Sequence, residues 1–292
     1  MGKRRNTTRK TLKLERLEDR RLMAADIGLQ NGLLSIRGTN HSDHISIDQV
    51  YVQAHIDGNG GSSFGGFGFH GNQHGTSSFG PQTQRVAKIK VTIASPGGQL
   101  RNQKLFDRAD VRKIKALGLN GNDKIYNNTG IGSDIRGGNG DDDLRGSTAA
   151  DRLYGNDGDD VIQGGWGKDV ISGGNGNDDV QGGWGNDIIA GGRGNDILRG
   201  QWGNDIINGG SGDDVLHGQS GSDRLTGSDG NDELNGGSGK DILYGSKGDD
   251  ELNGGSGKDT LYGSTGDDEL NGGSGNDTLY GSKGDDELNG GS

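Results

Sequence analysis

Residues 137–145 read GGNGDDDLR, 146–154 GSTAADRLY, 155–163 GNDGDDVIQ, 164–172 GGWGKDVIS and 173–181 GGNGNDDVQ, and the same nine-residue frame runs without a gap to Asn289. Seventeen complete units follow one another. The first position is Gly in every unit, the fourth is Gly in all but one, where Ala149 stands, and the sixth is Asp from Asp142 through Asp286. The eighth is always Leu, Ile or Val. A flexible polar linker can be this rich in Gly and Asp, but it has no reason to hold an apolar residue at one fixed phase, so the period marks a repeat architecture. The glycines allow positive φ in a tight turn, and the Asp at its end presents a hard oxygen. The next three residues, such as DLR or ILY, alternate as a short strand with the eighth position inward and the seventh and ninth outward. Leu144, Ile171, Leu198, Leu243 and Leu279 are thus expected in the core, one apolar side chain per unit.

Composition agrees that apolar burial alone does not fold this chain. Of 292 residues 63 are Gly, and AVILMFWYC make up 26%. Low hydrophobicity with a net charge of -11 leaves too little apolar surface to offset conformational entropy, so order requires a repeat architecture or a ligand. There is no Cys, which excludes a disulfide framework and Cys-based zinc or iron–sulfur sites, and no apolar run approaches a membrane span. Charge is segregated: residues 137–289 carry 31 acidic and 10 basic side chains, a net of -21, while residues 1–136 carry +10.

The nonapeptide resembles the GGxGxDxUx repeat of the RTX, or haemolysin-type calcium-binding, family. The resemblance covers about half the chain and implies an all-β fold, a right-handed parallel β-roll (β-helix solenoid) with two nonapeptides per turn. It further implies Ca2+ held between the turns of units i and i+2 by backbone carbonyls and the sixth-position Asp, about 15 sites at most. The implied ligands are Asp123, Asp142, Asp151, Asp160, Asp169, Asp178, Asp187, Asp196, Asp205, Asp214, Asp223, Asp232, Asp241, Asp250, Asp259, Asp268, Asp277 and Asp286. The unit with Ala149 is where a site is doubtful. Affinity per site is expected to be on the order of 10⁻⁴ to 10⁻³ M, as in extracellular modules, so the roll would follow external calcium and stay unfolded in a cytoplasm.

From Gly227 onward GSxG(N/D)DELN alternates with GGSG(K/N)D(I/T)LY, an 18-residue superperiod that matches two units per turn. Odd and even units then lie on opposite faces. One face is expected to stack Glu233, Glu251, Glu269 and Glu287 beside Asn235, Asn253, Asn271 and Asn289, and the other to carry Tyr244, Tyr262 and Tyr280. Trp166, Trp184 and Trp202, recurring in the turns, are placed farther up the Tyr side beside outward Val170, Ile188 and Ile206. That stripe either stabilises neighbouring turns, is covered by the N-terminal segment, or binds a glycan or a cell-surface partner.

The flanking sequence divides into a basic export or targeting segment at 1–25, a β-rich cap region at 26–117 and the roll at 118–292. GLNGNDKIY at 118–126 is one more unit, separated from Gly137 by ten residues instead of nine, and VRKIKAL and RVAKIKVTI alternate as strands. GTNHSDHIS at 38–46 follows the pattern with His41 in the fourth position, which makes Asp43 a further candidate ligand. Residues 57–80 read as a Gly/Ser/Phe/His loop. Its GSSFG lacks the strand and helix of a nucleophile elbow around Ser63, and His70 with His74 makes at most a weak metal site. The GGSGKD strings at 236 and 254 follow the calcium register, since Asp after the Lys would repel phosphate. LKLERLEDRRLMAA resembles an N-terminal LEDR-type motif of secreted or surface proteins of some bacteria, with an amphipathic helix or nucleic-acid arm as its alternative. Nucleic acid is not expected as the main partner, because the -21 block repels phosphate.

Members of the resembled family exported by the type I route usually carry a repeat-free segment after the repeats, whereas this sequence stops at Ser292, which puts type I export in doubt and leaves a strand edge open to end-to-end association. Two function classes follow. The favoured one is a non-enzymatic secreted calcium-binding repeat protein acting as a structural, adhesion or surface element. The alternative is the non-catalytic RTX module of a secreted hydrolase, polysaccharide epimerase or haemolysin-type toxin.

Overall fold

The computed structural model describes residues 25–56 and 82–292. The export motif and the 57–80 loop, with Ser63, His70 and His74, therefore lie outside the described residues. The described chain is all β apart from one 3-10 turn, Arg108–Asp110.

Two sheets face each other, one of 12 strands and one of 14, and the chain alternates between them. In the repeats each strand pairs in parallel with the strand 18 residues on: Leu153 with Ile171, Ile171 with Ile189, and Ile162 with Val180 on the opposite sheet. This is the parallel β-roll, with successive units on opposite faces. Strands are longer than the three residues expected. Val161–Trp166 and its equivalents cover positions seven through nine and then one through three, so only the fourth, fifth and sixth positions turn the corner. The reason is that Gly at position one faces inward and is buried, where a side chain would strike the Asp carboxylate of its own unit. The eighth position fills the rest of the interior: Leu144 through Leu270 are at most 2% exposed, while Leu279 is partly buried and Leu288 is 48% exposed.

The strand ladder of the repeats continues upstream of residue 118. Label β1 Asp26–Gln30, β2 Leu33–Arg37, β3 His44–Ile56, β4 Gln82–Ala94, β5 Leu100–Asp107, β6 Lys113–Asn120, β7 Lys124–Asn128 and β8 Ser133–Asn139. β2 pairs in parallel with β6 and β3 with β7, so Leu33 to Asp48 form a turn of the same ladder. Between them β3, β4 and β5 run antiparallel as an excursion on the edge of the 14-stranded sheet, and β1 runs antiparallel on the edge of the other. The β-rich region at 26–117 thus shares both sheets and one core with the repeats, with Ile27, Ile89, Val91 and Ile93 in the same buried cluster as Ile45 and Ile125. The reason is that GTNHSDHIS keeps the strand register of a repeat unit: His44 and Ile45 pair with Lys124 and Ile125. The extra residue before Gly137 is absorbed by a wide corner after β7, where Asn127 and Thr129 bond one another and Asn127 Nδ2 donates to the Ile131 carbonyl at 2.8 Å.

The face assignment holds for Glu and Tyr. Glu233, Glu251, Glu269 and Glu287 are in register on the 14-stranded sheet with the Asn column beside them. Tyr244, Tyr262 and Tyr280 stack on the other sheet with centroids 4.9 Å apart. The Trp assignment needs correction. Trp166, Trp184 and Trp202 end strands of the 14-stranded sheet, at the corner that leads to the Tyr-bearing sheet, because the third position belongs to the strand and not to the turn.

Candidate metal centre

Each repeat corner ends on its sixth-position Asp, and the next residue opens the following strand. The main-chain N–H of that Asp donates to the Oδ1 of the Asp 18 residues on, for example Asp142 to Asp160 at 2.7 Å, Asp160 to Asp178 at 2.8 Å and Asp187 to Asp205 at 2.8 Å. One oxygen of each carboxylate is therefore committed to welding consecutive turns. The other, Oδ2, is buried and accepts nothing in sixteen of them: Asp123, Asp142, Asp160, Asp169, Asp178, Asp187, Asp196, Asp205, Asp214, Asp223, Asp232, Asp241, Asp250, Asp259, Asp268 and Asp277. Nine of these oxygens run along one corner column and seven along the other.

The surroundings of that oxygen are backbone. A Cβ on Gly182 would lie 2.6 Å from Asp187 Oδ2 and 2.9 Å from the Gly200 carbonyl, and one on Gly236 would lie 2.7 Å from both Asp241 Oδ2 and the Gly254 carbonyl. The first-position Gly thus keeps open a space bordered by a carboxylate oxygen and a carbonyl of the next turn. Among the described residues no three His, Cys, Asp or Glu side chains converge as a metal cluster. Any ion here is held by one or two carboxylates plus main-chain oxygens, a donor set that suits a hard cation such as Ca2+.

A buried carboxylate with half its capacity unmet is costly as an anion. Burial pushes the carboxyls of Asp142, Asp160, Asp169, Asp178, Asp196, Asp214, Asp223 and Asp250 up to about 7 from an ordinary 3.8, against the smaller opposite pull of the amide bond. Asp123 rises to about 8, and Asp205, Asp232 and Asp241 to about 6, for the same reason. Such a column calls for protons or cations.

Two units of the pattern behave differently. Asp151 is satisfied at both oxygens: Ser133 N–H and hydroxyl reach Oδ1 at 2.5 and 2.6 Å, and Ser147 N–H and hydroxyl reach Oδ2 at 2.6 and 2.9 Å. Asp43 accepts from Thr39 N–H and hydroxyl on Oδ2, while the Arg101 guanidinium pairs with Oδ1 at 2.5 Å. Ser147 and Thr39 hold the second position of their units. Elsewhere that position has positive φ, even where it is not Gly, as in Asn156, Gln201, Gln219 and Ser246. Ala149 and His41 replace the fourth-position Gly, whose positive φ the usual corner requires, so these two corners take another shape that turns the second-position N–H and hydroxyl onto the carboxylate. The same device closes the N-terminal end of each column. Asp43 and Asp151 thus have no free oxygen, whereas the remaining candidates except Asp286, which is half-buried at the last turn, have one.

Sequence reasoning marked Ala149 but missed Ser133, Ser147, Thr39 and Arg101 as its consequences. The legible signal was a Ser or Thr at position two together with a non-Gly at position four, which occurs in GSTAAD and GTNHSD but not in GSKGDD. Calorimetric titration of single variants checks the distinction. Asp187→Asn is expected to lower calcium stoichiometry by one or two ions, while Asp151→Asn leaves the stoichiometry unchanged and weakens folding, because its amide NH2 must face an N–H donor.

A parallel β-roll whose corners hold rows of buried, half-satisfied carboxylates against main-chain carbonyls is, in class, a cation-binding solenoid. The model of the RTX calcium-binding nonapeptide repeat matches residues 136–171 and, in overlapping steps of 145–180, 163–198, 181–216, 199–234, 217–252, 226–261 and 235–270, on to 262–292. The chain belongs to this family, and its repeats bind Ca2+ at multiple sites. No curated protein matches the chain. No helix among the described residues is long and apolar enough to cross a membrane.

Proposed function

We propose that this protein is a secreted, non-enzymatic structural or surface element whose roll folds when calcium enters its corner columns. The observation that carries the reading is the set of sixteen buried Oδ2 atoms without a partner. Asp123 through Asp277 (Asp151 excluded), together with main-chain carbonyls of adjacent turns, would hold the Ca2+. Bound Ca2+ supplies the positive charge that lets these carboxylates remain ionised while buried. The protein's own part is to fix the columns: each Oδ1 ties one turn to the next, each first-position Gly leaves room, and the eighth-position side chains keep water from the interior. One apolar residue per nine is too small a core to hold stacked carboxylates together by itself, so ion binding and folding are one event. A cell interior kept low in calcium would leave the chain unfolded, which supports an extracellular site of action.

The test is far-UV circular dichroism of the full chain during calcium titration, with magnesium as control. A cooperative gain of β signal at millimolar calcium and none with magnesium is expected, since Mg2+ demands octahedral geometry and gives up water reluctantly. A chain equally ordered in EDTA at neutral pH would refute the reading.

A further inference from the structure

We propose that the Trp-bearing corner is a docking edge for an anionic lipid bilayer. The proposal rests on the calcium-folded roll above and names what one of its surfaces meets.

Trp166, Trp184 and Trp202 are 60%, 53% and 54% exposed on consecutive turns of one corner column, and Ile188 and Ile206, just past the corner, are each 49% exposed. With half-buried Val170 they form an unbroken apolar edge on the order of 500 Å2, as large as the biggest patch of a typical monomer. Charge frames this edge. The seventh-position column of the 12-stranded sheet reads Arg152, Val170, Ile188, Ile206, Arg224 in register, so two exposed guanidinium groups stand about 19 Å apart at the ends of the apolar stretch. Lys168 sits in the corner between Trp166 and Val170. Arg152, Arg224 and Lys168 make no ion pair among the described residues. Fifth positions on this corner are Lys168, Asn186 and Asn204, with a cation and no acid, whereas over the same stretch the opposite corner runs Asp141, Asp159, Asn177, Asn195 and Asp213. An acidic protein thus presents here its apolar, locally basic side.

That combination selects the occupant. A second copy is disfavoured, because the column reads Arg to Arg from either end and matching apolar parts face to face would set guanidinium against guanidinium. A sugar is disfavoured as well. Trp184 and Trp202 stack with centroids 5.0 Å apart and planes 14° apart, so their faces cover one another and mostly edges point out. A docked helix needs a groove, and this is a projecting corner. A bilayer interface accepts a protruding apolar edge, takes Trp preferentially, and offers phosphates to the flanking Arg and Lys. Calcium in the columns removes the block's repulsion from anionic lipid.

The chain's three Trp all stand on this edge, so intrinsic fluorescence reports on it alone. With calcium, the full chain is mixed with phosphatidylcholine vesicles with or without phosphatidylglycerol, and emission and co-sedimentation are followed. A blue shift and co-sedimentation are expected with the anionic vesicles only. W166S/W184S/W202S, which installs the residue found at Ser220 and Ser238 of the same column, should keep the calcium-induced circular dichroism and weaken vesicle binding by about tenfold or more. R152Q/R224Q should lose the preference for anionic vesicles. The proposal is overturned by unchanged emission with vesicles, by binding that survives the triple substitution, by emission already blue in the free chain, by a dimer that the triple substitution dissolves, or by a shift with polyglutamate but not vesicles. Absence of any calcium-induced β signal would instead overturn the folding reading on which the proposal stands.

Discussion

Stripped of calcium, the chain is expected to be unfolded at pH 8 and to regain its β signal as the pH is lowered through about 7 toward 4. Carboxyls that titrate near 3.9 in an unfolded chain are pushed by burial up to about 7 in the roll at Asp160, Asp178 and Asp214, and upward at most other corners. Between these values the roll binds protons that the unfolded chain does not. Its stability is therefore greatest below the unfolded value and is lost as the pH rises through the folded one. This is the reverse of a salt-bridged Asp, and it sums over more than a dozen groups. Protonation of the fourteen repeat carboxyls that burial raises takes the block from -21 to about -7, which eases its self-repulsion. Circular dichroism in EDTA across this range checks the expectation, and a calcium-free chain that orders more at pH 8 than at pH 5 would sink it.

Protons and calcium then compete for the same oxygens. At pH 6, calcium should have to displace protons to enter, so the titration midpoint moves to higher concentration and protons are released on binding. The roll is thus ordered under two conditions and collapses between them, at neutral pH without calcium. That behaviour follows from spending only Oδ1 on the protein: had Oδ2 been satisfied as in Asp151, the carboxylate would need neither ligand.

Much of this was legible in nine letters. Fixed Gly and Asp phases located the corner, and Leu, Ile or Val at position eight located the core, because both rest on local backbone geometry repeated many times. What escaped rests on contacts between residues far apart in sequence. Nothing local to GTNHSD says that Arg101, 58 residues beyond Asp43, will reach it across an antiparallel excursion. Nor does the repeat itself say that the Trp belongs to a strand: that depends on Gly in positions one and two continuing the ladder, which only the pairing of Trp166 with Trp184 and of Gly165 with Gly183 reveals. The upstream reach of the ladder was hidden for the same reason, since β2 and β6 are neighbours in space but separated by three intervening strands.

Gly185→Val is expected to cut the roll in two. Gly185 holds the fourth position of a central unit at φ +148, and a Cβ there would penetrate the Gly167 carbonyl of the preceding turn. That carbonyl cannot yield, because main chain stacks on main chain along the whole corner: Gly203 and Gly221 repeat the same contact. The residue can escape only by moving its corner off the stack, which breaks the Gly185 N–H bond to the Trp202 carbonyl at 2.8 Å and pulls Asp187 out of line with its neighbours. In a solenoid each turn leans only on the next, so cooperativity is transmitted through every interface in series. The variant should therefore replace one calcium transition by two of smaller amplitude, a segment on each side of residue 185, with loss of one or two ions. Gly130→Ala is the control, since its Cβ would meet nothing closer than Thr148 Oγ1 at 3.6 Å. A single, undiminished transition in Gly185→Val would show that corner stacking does not carry the cooperativity, and the roll would have to be held by its strand ladders alone.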